Sequence, residues 1–179
     1  MSVPARSGFV SAMATISLAL GGFGVIGNAL QLLMAFALPS SADLAALLPP
    51  GTPLPPLLAW LGEHLVALSL AGIGGSALLA WISWALLQRR EWARLAFIAG
   101  LGVVALANFA GLPLLDRAFD QLLPAMADPG INAELRAMAA AMRRALFWGG
   151  LAGAVAIAAV HGWIAWKLCR AEVRAEFRR

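Results

Sequence analysis

The chain has 179 residues; 61% belong to the set AVILMFWYC, 12% are charged, and the formal net charge is +4. A soluble domain carries about 45–50% apolar and about 25% charged residues, so this chain has too little charge to cover a water-facing surface. The same apolar excess excludes a disordered chain and leaves an integral membrane protein.

A bilayer core of about 30 Å needs about 20 consecutive, mostly apolar helical residues. The first stretch of that length without Asp, Glu, Lys or Arg is Ser7–Ala42. It predicts a span over about 9–38, ended by Pro39. Ala35-Phe36-Ala37 has the form of a signal-peptidase site, but the apolar run before it exceeds the roughly 7–15 residues of a signal h-region. We therefore read an uncleaved helix. Ser17, Gly21, Gly24, Asn28 and Gln31 recur at spacings of three and four along it. Such a row of small and polar residues suits close helix packing in lipid, where tails are as apolar as Leu.

Residues 39–56 form the first outer segment, stiffened by Pro39, Pro49, Pro50, Pro53, Pro55 and Pro56. Between the prolines, Ser41–Leu48 predicts a short apolar helix on the outer membrane face. The second span, about 57–88, opens with Glu63 and His64 and carries the small-residue row Ser69, Gly72, Ser76, Ala80 and Ser83. A basic turn follows, with Arg89, Arg90 and Arg94. The third span, about 93–115, holds Asn108 and is topped by Asp116.

Residues 116–144 predict two helical extensions around an Asp128-Pro129-Gly130 turn. Leu115, Phe119, Leu122 and Leu123 line one face; Leu135, Met138, Met142 and Leu146 line another. Pro124 ends the first extension, and Asp128 or Asn132 caps the second. An antiparallel hairpin centred near Pro129 puts Asp116 opposite Arg143 or Arg144. The fourth span, about 145–168, has Gly149-x-x-x-Gly153 followed by Ala156 as its packing row and His161 as its one intramembrane histidine. The tail, 169–179, carries Arg170, Arg174 and Arg178 with Glu172 and Glu176 between them, which predicts a short helix lying on the anionic inner leaflet.

Basic residues near span ends set orientation. Nine of them (Arg6, Arg89, Arg90, Arg94, Lys167, Arg170, Arg174, Arg178, Arg179) fall on one side and four (Arg117, Arg136, Arg143, Arg144) on the other. The nine-residue side is expected to be cytoplasmic, with both termini inside. Trp60 and Trp148 fall near the outer boundary, and Trp81, Trp84, Trp92, Trp163 and Trp166 toward the inner one. The expected fold is an all-α, up-down-up-down bundle of four transmembrane helices with an outer hairpin extension, a single membrane domain over 1–179.

Functional leads are confined to polar residues at membrane depth. At ~1.5 Å per residue, Asn28, Gln31, Glu63, His64, Asn108 and Asp116 all reach the outer third, a candidate ligand-binding cluster. Ser83 and His161 lie near the inner leaflet, where a neutral imidazole bonded to a hydroxyl or carbonyl is expected. No cofactor is expected. Glu63 and His64 are adjacent, about 100° apart on a helix, and cannot share a metal. His64 and His161 lie near opposite sides, which argues against two-histidine haem ligation. A single cysteine, Cys169, excludes an internal disulfide, four-cysteine zinc and dithiol redox chemistry. Gly21-Gly22-x-Gly24 follows no strand, so it is no phosphate loop. The basic charge is a topology signal, and no nucleic-acid partner is expected.

These residues point to a non-catalytic component of a bacterial inner membrane: an accessory, assembly or scaffolding subunit, or a small helical oligomer. Its partners would be the lipid bilayer and another membrane protein or a second copy. A small transporter or channel with an outward polar cleft is the alternative. A membrane enzyme using Glu63 and His64 as its acid–base pair comes third.

Overall fold

A computed structural model of the protein describes residues 8–37, 56–122 and 133–177. These residues are 96% helical with no strand. The elements are α1 (Gly8–Ala37), α2 (Pro56–Leu87), α3 (Glu91–Leu122), α4 (Ala133–Cys169) and the short α5 (Ala171–Ala175). Segments Gly8–Ala37, Ala59–Leu87, Glu91–Arg117 and Arg136–Cys169 are long and apolar enough to cross a membrane. The four expected spans thus correspond to four helices. The Ser41–Leu48 helix, the Pro124 stop, the Asp128-Pro129-Gly130 turn and the Asp128 or Asn132 cap lie outside the described residues.

Helices α3 and α4 run well past the predicted span ends, as the single-face apolar patterns beyond Leu115 and before Ala145 require. Helix α3 even continues through Pro113. That proline withholds the amide that would have bonded to the Phe109 carbonyl, but flanking turns carry the helix on.

The chain divides into two compact units. The first takes in α1, residues 64–87 of α2, 91–102 of α3, and 161–177. All four long helices converge there on one apolar layer: Val10 and Ala14 of α1, Ala85 and Leu86 of α2, Ala93 and Phe97 of α3, Ile164 and Leu168 of α4. Val173 and Phe177 from the tail complete it.

Helices α1 and α2 in this unit pack antiparallel along the predicted small-residue rows. A Cβ added to Gly21 would lie 2.8 Å from the Ala80 amide nitrogen and 2.9 Å from the Ser76 carbonyl oxygen. One added to Gly24 would meet Ser76 Oγ, and one added to Gly72 would overlap the Asn28 side-chain amide. As α1 advances through 21, 24 and 28, α2 recedes through 80, 76 and 72, which fixes direction and register. At Gly21 the facing backbone is this close, so glycine is required there by space and not by backbone conformation; at Gly24 and Gly72 the obstacles are the Ser76 and Asn28 side chains.

The second unit takes in residues 56–63 of α2, 103–122 of α3 and 133–160 of α4. Here α3 and α4 are antiparallel, with Leu112 against Gly150 and Asp116 against Arg143. The packing row on α4 differs from the expected one. Gly149 and Gly153 have open space where a Cβ would go, and Ala156 is exposed. Gly150 instead meets Leu112 Cδ2 at 3.0 Å, and Ala154 is buried. The row is rotated by one residue, to Gly150 and Ala154. Adjacent glycines at 149 and 150 satisfy the same spacing rule, so bulk on the facing helix decides between them.

Candidate functional site

The six residues of the expected outer cluster are divided between the two units. Asn28, Gln31 and His64 belong to the first; Glu63, Asn108 and Asp116 belong to the second. Gln31, Glu63 and His64 are exposed. Asn28 Nδ2 donates to the Gly24 carbonyl at 2.7 Å, while its amide oxygen abuts Gly72. Asn108 Nδ2 donates to the Val104 carbonyl at 2.8 Å. Buried Ser69 does the same, its hydroxyl donating to Leu65 at 2.7 Å. Asn28, Asn108 and Ser69 thus each donate to a carbonyl of their own helix, four residues back. Short polar side chains reach such an acceptor without a partner helix.

Asp116 is held as the hairpin register predicts. Arg143 Nε donates to Asp116 Oδ1 at 2.7 Å, and Arg143 Nη2 lies 2.7 Å from the same oxygen. Both side chains keep about a third of their surface open (28% and 38%), so the pair acts more on register than on stability. Arg144 is exposed.

Ser83 and His161 depart from expectation. Ser83 is fully buried, and neither its Oγ nor the buried His161 Nδ1 has a hydrogen-bond partner among the described residues. Ser83 lies three residues before Leu86 and His161 three before Ile164, so both extend the rows that feed the apolar layer. An unmet buried polar group costs roughly 1–3 kcal/mol.

One well-connected polar group is one that counting charges could not single out. Arg89 adopts a left-handed conformation, φ 59°. Its amide bonds to the Leu86 carbonyl at 3.0 Å and the Arg90 amide to the Ala85 carbonyl at 3.2 Å. This is a Schellman stop to α2, with arginine where glycine is usual. The side chain explains the choice. Nε lies 3.2 Å from Glu176 Oε2, Nη2 donates to Ser11 Oγ at 3.0 Å, and the guanidinium sits 5.9 Å from the Phe177 ring centroid. One residue thereby ties the α2–α3 turn to α1 and the tail. Arg94, only 4% exposed, works similarly: Nε donates to Glu91 at 2.9 Å and Nη1 to the Leu168 carbonyl at 3.3 Å. A cation there meets the negative end of α4.

The tail forms the short helix α5. Arg170 is extended (ψ 144°), so α4 stops and α5 restarts. Val173 and Phe177, four residues apart, turn into the core. The tail thereby packs against the apolar layer. Cys169 is exposed. Among the described residues no group of three His, Cys, Asp or Glu side chains is placed to hold a metal ion.

Compared with known proteins, the chain matches no family model, no curated protein and no solved structure at a significant level.

Proposed function

We propose that this chain is a non-catalytic component of a bacterial inner membrane, an accessory, assembly or scaffolding subunit or a small helical oligomer. It crosses the bilayer four times with both termini in the cytoplasm. The observation that carries the reading is the contrast between apolar surface and polar commitment. Leu20, Phe23, Leu33, Leu106 and Trp148 are each at least 60% exposed, surface that a lipid phase or a partner must cover. The Asn28, Ser69, Asn108 and Asp116 side chains meanwhile serve their own helices or an internal ion pair. The open Gly149 and Gly153 positions on α4 supply the close-packing surface a further helix would use. The nine-to-four distribution of basic residues supports the orientation. The Ala-, Leu- and Arg-rich composition with a single lysine supports a bacterial source.

Two measurements test this. Extraction of the membrane into polymer-bounded discs, without detergent, should yield particles holding a second copy or a second polypeptide in fixed ratio. A lone chain carrying a small molecule would point to the transporter reading. In a Cys169→Ser background, externally added maleimide should label cysteines at Thr52 and Asn132 but not at Glu91 or Ala175. The opposite pattern reverses the orientation.

A further inference from the structure

We propose that the end of α4 carries a headgroup site for an anionic phospholipid, built from Trp163, Trp166, Lys167 and Arg170. The proposal rests on the membrane reading above and adds a specific ligand to it.

The four residues follow one another at steps of three, one and three, within about 100° of one another around the helix. The core residues Ile164 and Leu168 occupy a different face of the same turns, so this face looks sideways out of the bundle. Trp163 and Trp166 are about half exposed, at 49% and 56%. The Lys167 ammonium sits 5.0 Å from the Trp163 ring centroid and 5.2 Å from that of Phe9, which meets Trp163 edge-on at 5.6 Å. The Arg170 guanidinium sits 4.7 Å from the Trp166 centroid.

Stacking on a ring fixes where each cation stands but leaves its N–H groups unused. Neither the Lys167 nor the Arg170 side chain makes a hydrogen bond or ion pair among the described residues. The acids nearby are committed, Glu176 to Arg89 and Glu91 to Arg94. Glu172 on α5 is exposed. The result is two pre-positioned cations about one turn apart, flanked by two indole N–H donors at the level where a tryptophan belt meets headgroups. A phosphodiester fits this set. A lipid with net negative charge fits better than a zwitterionic one, whose own cation would face Lys167 and Arg170. The bilayer is the source: the site is lateral and its floor is the exposed aromatic surface against which acyl chains lie.

Native mass spectrometry of the full chain in mild detergent, titrated with phosphatidylglycerol or phosphatidylcholine, tests the proposal. Phosphatidylglycerol should bind the wild type several-fold more tightly. The single variants K167Q and R170Q should each lose about fivefold in that affinity, as expected for one surface cation, and the double variant more. R90Q/R174Q, which removes two exposed cations elsewhere, should leave it nearly unchanged, and K167R/R170K should retain it. Equal binding of both lipids, or a preference lost in R90Q/R174Q and kept in K167Q/R170Q, overturns the site. Displacement of the lipid by inorganic phosphate at equal concentration assigns it to a free anion and overturns the lipid. Recovery of the chain in the soluble fraction before any detergent is added is a different failure, that of the membrane reading itself.

Discussion

The glycines of α1 and α2 and the glycines of α4 follow the same spacing rule and meet opposite fates. At Gly21, Gly24 and Gly72 the facing helix is already so close that a methyl group has nowhere to go. At Gly149 and Gly153 there is open space. Small residues every three or four positions mark where a helix can be approached closely, but the spacing does not say by what. On α1 and α2 the answer is each other. On α4 the chain's own helix takes Gly150, one position round, and leaves the 149/153 row to the lipid or a neighbour.

Substitutions at these two kinds of glycine should break or sharpen the contrast. Gly72→Leu and Gly21→Leu should have the largest effect. Overpacking usually costs about 1–3 kcal/mol; at Gly21 the atoms in the way include backbone, which cannot rotate aside, so a loss at or beyond the top of that range is expected there, and one within it at Gly72, which meets the Asn28 side chain. Thermal unfolding in detergent should show either variant far below wild type and below Leu18→Ala. An unfolding temperature unchanged by Gly21→Leu would mean that the α1–α2 seam is wrong.

Arg89 comes next. Arg89→Ala removes the contacts to Glu176 and Ser11 and keeps the left-handed strain, for a loss of about 1–3 kcal/mol. Arg89→Gly loses the same contacts but relieves the strain, and should be the milder of the two by about 1 kcal/mol. If Gly is as damaging as Ala, the conformation of residue 89 contributes nothing and only its side chain matters.

Arg143→Gln should be a small change, no more than about 1 kcal/mol, because its pair with Asp116 is partly open. Smallest of all, Gly149→Leu should leave monomer stability within about 0.5 kcal/mol of wild type. Its effect should fall instead on association, read as loss of the second polypeptide or copy from polymer-extracted particles.

Much of the fold was legible in the sequence, and the physical reason is simple. Four charge-free runs of the right length admit few arrangements, and the rows Ser17–Gln31 and Ser69–Ser83 carried enough glycine and serine to declare a seam. The Asp116–Arg143 pair was legible because a hairpin equates positions equally far from its turn. Three features were not. Gly149 and Gly150 are neighbours, and only Leu112 on the facing helix chooses between them. Arg89 stands where a glycine or asparagine would have announced a left-handed stop, and its role depends on Glu176, 87 positions away in the chain. Val173 and Phe177 are spaced for a helix face, but the four arginines around them pointed to the leaflet surface and not to the core. The hydrogen bonds of the polar positions were not legible. Whether an asparagine reaches across to a neighbour or back to its own helix depends on rotamers that spacing does not determine.

The proposed function turns most directly on whether the 149/153 face of α4 is an association surface and the 150/154 face is not. Site-specific photo-crosslinking in intact membranes tests it directly, with a diazirine side chain placed in turn at Gly149, Gly150, Gly153 and Ala154. The account predicts adducts to a second polypeptide, or to a second copy, from positions 149 and 153, and only intrachain products from 150 and 154. Lipid adducts alone from 149 and 153, or protein adducts distributed evenly over all four positions, would contradict it.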